Sequence, residues 1–131
     1  MITPIAKNYK GLISITGPTR SGKSKLAEFL ISEQDPVTYI ATSKPRPNDS
    51  DWQKRIGVHR KRRPDSWTLI EHPKDISNAI ESIKGNESIL IDSLGGLVEQ
   101  HLIKDDDQWN DFQIKFLNCL SEENLCIVVV S

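Results

Sequence analysis

Cysteine is nearly absent from these 131 residues: Cys119 and Cys126 are the only two. Two thiols make no disulfide framework, and no second pair stands at metal-ligand spacing. A stapled secreted scaffold and a thiolate zinc site are therefore excluded, and two reduced thiols are expected. An excess of charge of one sign is also missing. Lys and Arg number 17 and Asp and Glu 18, for a formal net charge of −1. Bulk charge thus gives no pull toward nucleic acid or an acidic membrane. Long apolar runs are absent too. The most apolar stretches, residues 12–15, 89–91 and 127–130, are strand-sized and fall far short of the ~20 residues a membrane-spanning helix needs. Residues 1–10 are too polar for a secretory signal. These absences lead to the expectation of a cytoplasmic protein with no membrane span and no nucleic-acid partner.

What is present suits a single soluble domain spanning residues 1–131, since 37% of residues are hydrophobic and 27% charged. Residues 12–16 form a short β-branched run that reads as a buried strand. A glycine-bearing loop follows at once, and residues 23–32 read as a helix with Leu26, Ala27, Phe29 and Leu30 at helical spacing. Pro36 ends that pattern, and residues 37–41 read as a second strand, completing a βαβ unit. Residues 44–50, rich in Pro, Ser and Asn, read as loop, and residues 51–60 as a short helix. Further strands are expected at 67–71, 88–92 and 125–130, and helices at 75–83 (with Gly85 as C-terminal cap), 94–102 and 109–120. Strands alternating with helices predict an α/β fold of the P-loop NTPase kind. Its sheet is mostly parallel, with helices on both faces.

The loop Gly17-Pro18-Thr19-Arg20-Ser21-Gly22-Lys23-Ser24 satisfies the pattern G-x-x-x-x-G-K-[ST]. Phosphate oxygens need many donors converging on a small volume, and glycines let the backbone curl so that successive N–H groups converge. The following helix N-terminus adds positive partial charge. Lys23 reaches the β- and γ-phosphates, and the Ser24 hydroxyl is a ligand for Mg²⁺. The loop lies between an expected strand and an expected helix, as the mechanism requires. A carboxylate is needed near the metal, and Asp92 ends an apolar strand suited to place it there. The alternative is that Asp92 caps the helix beginning near Leu94. Glu71 ends another strand and is a second candidate.

The segment Arg55-Ile56-Gly57-Val58-His59-Arg60-Lys61-Arg62-Arg63-Pro64 holds five of the 17 basic residues and one of three histidines. It reads as a solvated face, a nucleic-acid contact, or a set of cations over the phosphate loop. In the last case a neutral imidazole at His59 is a competent nucleophile toward phosphorus. His72 and His101 read as surface residues.

Several stretches together resemble the bifunctional adenosylcobinamide kinase and adenosylcobinamide-phosphate guanylyltransferase family of cobalamin biosynthesis. They are Thr16 with the phosphate loop, Tyr39-Ile40-Ala41-Thr42-Ser43, Arg55-Ile56, His59-Arg60, Arg63-Pro64, Trp67-Thr68 with Glu71, Ile89-Leu90-Ile91-Asp92-Ser93-Leu94 and Val128-Val129-Val130-Ser131. The resemblance implies two reactions. A nucleoside triphosphate, ATP or GTP, phosphorylates adenosylcobinamide; then GTP guanylylates a histidine, which passes GMP to adenosylcobinamide phosphate. The covalent histidine falls on His59, with Lys23 as the other catalytic residue. Nucleotide contacts fall on residues 17–24, Ile40, Ala41, Thr42, Arg60, Lys61, Arg62, Arg63, Glu71 and Asp92, and Mg²⁺ on Ser24 and Asp92. A homo-oligomer is also implied. The sequence departs from the family at Lys44-Pro45-Arg46-Pro47-Asn48-Asp49, which stands where an acidic cluster is usual. Family members are expected to continue beyond Ser131, so residues 1–131 are C-terminally incomplete by comparison. A nucleotide-binding but inactive truncated homologue and another P-loop small-molecule kinase are the alternative readings.

Overall fold

A computed structural model describes every residue except Met1, Thr19, residues 84–86 and Glu123. Gly85, expected as a helix cap, lies outside the described residues. The elements run β1 (Gly11–Ile15), α1 (Lys23–Ile31), β2 (Val37–Ala41), α2 (Ser50–Arg62), β3 (Thr68–Glu71), α3 (Ile76–Glu81), β4 (Ser88–Asp92), α4 (Leu94–Gln100), α5 (Asp106–Leu120) and β5 (Cys126–Val130). The five strands form one sheet in the order β1-β5-β4-β2-β3, and each neighbouring pair is parallel. The predicted α/β class and parallel sheet hold.

The register explains how one short sheet separates two cores. Successive side chains on a strand point to opposite faces. Ile89, Ile91, Ile127 and Val129 join Ile40 against Ile76, Ile80, Leu97 and Phe116 of α3, α4 and α5. The alternate positions, Leu90, Val128 and Val130, join Val37 and Tyr39 against Ala27 and Ile31 of α1. Strands β4 and β5 are apolar on both faces because helices cover both.

Three elements differ from the sequence reading in an informative way. Helix α1 buries Ala27, Glu28 and Ile31, while Phe29 is 43% exposed, so its inward face includes a carboxylate that hydrophobic spacing passed over. Helix α2 runs on through the basic segment to Arg62 and buries none of its residues. Helix α5 begins three residues earlier than expected, at Asp106. Asp105 caps it, its side chain accepting from Gln108 N at 2.8 Å while the Gln108 side chain accepts from Asp105 N at 3.2 Å. Both cysteines are free and buried. No helix among the described residues is long and apolar enough to cross a membrane.

Two histidines expected at the surface are not there. His101 is 6% exposed; it ends α4 and its ring stacks on Phe112 at 3.8 Å between centroids. His72 is half-buried, with Nδ1 3.2 Å from Thr42 O and 2.9 Å from Gln100 Nε2. Tertiary packing of the loops after β3 and α4 covers both rings, which local polarity did not reveal.

Candidate active site

In a parallel sheet all strands end on the same side, and the loops leaving those ends converge. The register places Ile15, Val130, Asp92, Ala41 and Glu71 in one row across the C-terminal edge. The phosphate loop leaves β1 beyond Ile15. Asp92 is two strands away, roughly 10 Å at the usual strand spacing.

The phosphate loop takes the conformation its glycines allow. Gly22 has φ +85° and forms the N-terminal boundary of α1, and Arg20 also lies in the left-handed region at φ +61°. Such alternation turns backbone N–H groups toward a common point. No acidic residue occupies the first turn of α1, so its N-terminal partial charge is not neutralised there. Lys23 Nζ donates to the loop's own carbonyls, Gly17 O at 2.7 Å and Pro18 O at 3.1 Å. Thr19 lies outside the described residues.

Asp92 is not a helix cap. Ser93 caps α4, its hydroxyl accepting from Gly96 N, and Asp92 Oδ2 instead accepts from Tyr39 Oη at 2.7 Å. Tyr39 is 3% exposed. Burial, then the Asp92 charge and the hydrogen bond to it, raise its phenol far above the ordinary range, so the proton stays on tyrosine. The Arg63 guanidinium lies 4.1 Å from the centroid of the same ring.

His59 lies in a cavity of about 280 Å³ shared with Tyr39, Ala41, Arg60, Arg63, Glu71 and Asp92. Trp52, Ile56, His59 and Arg63 are the half-buried positions along α2 and the residue after it that line this cavity, four, three and four residues apart. That spacing is one helix face. Burial pushes the His59 imidazole below its ordinary value of 6.5, and Arg62 and Arg63 push the same way against Asp92 and Glu28. His59 is therefore neutral at pH 7. Arg60 reaches Glu71 at 3.1 Å, with both side chains about half exposed. Arg62 grips Glu28 of α1 through both guanidinium donors, at 3.0 and 3.1 Å.

The structure thus gathers His59, Arg60, Arg63, Ala41, Glu71 and Asp92 around one cavity. The phosphate loop stands at the same sheet edge but does not line that cavity. Ile40 and Thr42 are fully buried. The Thr42 hydroxyl donates to Ser93 O at 2.6 Å and accepts from Ser93 N at 2.8 Å. Lys61 is exposed on α2 and does not line the cavity. Two participants escaped the sequence reading. Tyr39 looked like an ordinary strand residue, and Glu28 left only a faint signal, a charge between Ala27 and Ile31 on the inward face of α1. As possible holders of a hard divalent cation, Ser24 and Asp92 offer a hydroxyl and a carboxylate oxygen.

Comparison with known proteins identifies the family. The family model described as cobinamide kinase / cobinamide phosphate guanyltransferase matches residues 13–131. The bifunctional adenosylcobalamin biosynthesis protein CobU of Escherichia coli K12 is 37% identical over 108 residues, covering 78% of this chain and 58% of that protein. The protein CobP of Pseudomonas aeruginosa, with the same bifunctional description, is 37% identical over 120 residues, covering 89% of this chain and 68% of the relative. The Salmonella typhimurium CobU is 32% identical over 105 residues, covering 76% and 57%. The chain therefore spans between 57% and 68% of the length of these curated relatives. On the match across residues 13–131 and these identities, the chain belongs to the cobinamide kinase / cobinamide phosphate guanyltransferase family.

Proposed function

We propose that this protein performs the nucleotide chemistry of cobalamin assembly: phosphorylation of adenosylcobinamide from ATP or GTP, and transfer of GMP from GTP, through His59, to adenosylcobinamide phosphate. The observation that carries this reading is His59 itself. A neutral imidazole faces one cavity with Arg60, Arg63 and Asp92, at the sheet edge that also bears a phosphate loop. A solvated basic face would not turn a half-buried histidine inward.

In the guanylyl half-reaction an imidazole nitrogen of His59 attacks the α-phosphorus of GTP. A P–N bond forms, the bond to the β-phosphate bridging oxygen breaks, and pyrophosphate leaves with that electron pair. An oxygen of the corrinoid phosphate then attacks the same phosphorus, the P–N bond breaks and His59 is regenerated. Arg60 and Arg63, which line the His59 cavity, would supply cations to stabilise the charge on the transferring phosphoryl group. In the kinase half-reaction Lys23, released from Gly17 and Pro18 by the incoming phosphates, contacts the β- and γ-phosphates. Magnesium, if bound, would supply Lewis-acid stabilisation of the phosphate charge. Ser24 and Asp92 supply hard oxygen donors for it. Among the described residues no cluster of three or more His, Cys, Asp or Glu side chains forms a metal cage.

The test is incubation with GTP labelled at the α-phosphate. A protein-bound label that survives base, is lost in acid, and is absent from His59→Ala supports the reading. An intact protein that binds GTP yet takes up no label overturns the transferase half and leaves a nucleotide-binding module.

A further inference from the structure

Helix α2 carries the histidine, yet its apolar anchoring is slight: Trp52 and Ile56 on its inward face are only half-buried. None of its residues is buried, and Val58 is 55% exposed. A helix without a buried apolar stripe gains little from the hydrophobic effect and must be held by other means. Three arginine contacts from its last turns supply them. The Arg60–Glu71 pair lies between two half-exposed side chains, and such pairs contribute little. Arg63 rests on the Tyr39 ring just beyond the helix end. The third contact differs in kind. Glu28 is 8% exposed, points from the phosphate-loop helix α1, and receives three hydrogen bonds from Arg62 in a two-pronged pairing.

Arg62 follows His59 by three residues, so the two side chains are neighbours on the helix surface. Fixing Arg62 to α1 therefore fixes the rotation of α2 at His59. It also links the helix that bears the nucleophile to the helix that opens the phosphate loop. Glu28 is one residue from Ala27, which is fully buried, so its backbone belongs to the rigid part of the molecule.

We infer that Glu28 is a positioning residue for the guanylyl-transfer step: through Arg62 it sets the nucleophile-bearing face of α2 toward nucleotide held on the phosphate loop. This rests on the proposed role of His59. It gives Arg62 a part distinct from that of Arg60 and Arg63, since Arg62 does not line the His59 cavity. Guanylylation depends on Glu28, whereas nucleotide affinity, which the phosphate loop supplies, does not.

The experiment compares the full-length protein with Glu28→Gln, Glu28→Asp and the double variant E28Q/R62Q in two readouts. The first is the rate of His59 labelling as a function of GTP concentration. Glu28→Gln is expected to lower the maximal rate by ten- to a hundredfold with the GTP half-saturation point within about twofold of the parent. Glu28→Asp should recover part of the loss, and E28Q/R62Q should lose no more than E28Q alone. The second is amide hydrogen exchange, in which residues 50–62 should exchange faster in Glu28→Gln while β4 and β5 stay protected. Labelling at the parental rate, or a loss of rate matched by an equal loss of GTP affinity, overturns the proposal while leaving the reading of His59 intact. If the parent takes up no label, exchange still decides: unchanged protection of residues 50–62 in Glu28→Gln refutes the anchoring role. Faster exchange there would confine Glu28 to holding α2 and refute its part in catalysis together with the transferase reading.

Discussion

At His59 the balance of burial and charge decides reactivity. Burial and the adjacent arginines disfavour the imidazolium, so the nucleophilic form persists below the pH at which a free histidine is half protonated, 6.5. The rate of His59 labelling by GTP should therefore be flat above pH 6.5 and fall only at lower pH, with an apparent midpoint below 6.5; a rapid-quench pH series measures it. A midpoint above 6.5 would mean that carboxylates, not burial, control the ring. Gly96 presents another residue-scale constraint. A Cβ there would lie 2.5 Å from Thr42 Oγ1 and 3.2 Å from the Ser43 backbone nitrogen. Backbone cannot yield as a flexible side chain does. Gly96→Ala should thus destabilise the fold by about 1–3 kcal/mol in urea unfolding, because it forces α4 away from the end of β2. Lys23→Ala should weaken triphosphate binding by at least about tenfold in a titration, since one charge-assisted contact contributes about 1.5–3 kcal/mol. Lys23 and His59 were both legible as types of chemistry in the sequence. Tyr39 and Glu28 were not, because their importance lies in the partner each meets across the fold.

Among the elements, α5 and α2 show opposite ways of fixing a helix. Helix α5 is specified locally and then packed: Asp105 and Gln108 form a reciprocal cap, and Phe116 and Cys119 are buried. Asp105→Ala should cost about 1 kcal/mol in the same unfolding measurement, with no change in nucleotide binding. Helix α2 has a local start signal too, Asp49 accepting from Trp52 N at 3.0 Å, but no fully buried apolar stripe. Its continuation through the basic run to Arg62 was missed because that run looks like a solvated tail. Arg60, Lys61 and Arg62 lie in its last turn, where cations suit the helix dipole. The strands were more legible: β2 and β4 fall at the expected bounds, since a strand buried on both faces is a continuous apolar run.

For the molecule as a whole, two buried or half-buried histidines bear on acid stability. His59 and His101 both have folded values below 6.5, chiefly through burial, with Lys104 adding to the effect at His101. The unfolded protein then binds protons more readily than the folded one. Stability should be full above pH 6.5 and decline as pH falls from there through the lower folded values. Urea midpoints between pH 5 and 8 measure this. Both ring nitrogens of His101 lack a partner among the described residues, so His101→Phe should leave stability at pH 7 little changed and make the acid decline shallower. The sequence by itself determined the α/β class, the phosphate-loop motif and the family resemblance, because each is written in short contiguous patterns whose physics is local. Tertiary structure alone decided the strand order that sets Asp92 two strands from the phosphate loop. It also chose the Tyr39 partner that takes Asp92 from helix capping to the site, and the Glu28–Arg62 pair that turns His59 inward. Those depend on contacts between residues 34 and 53 positions apart, and no local pattern encodes which of many carboxylates a given arginine or tyrosine will meet.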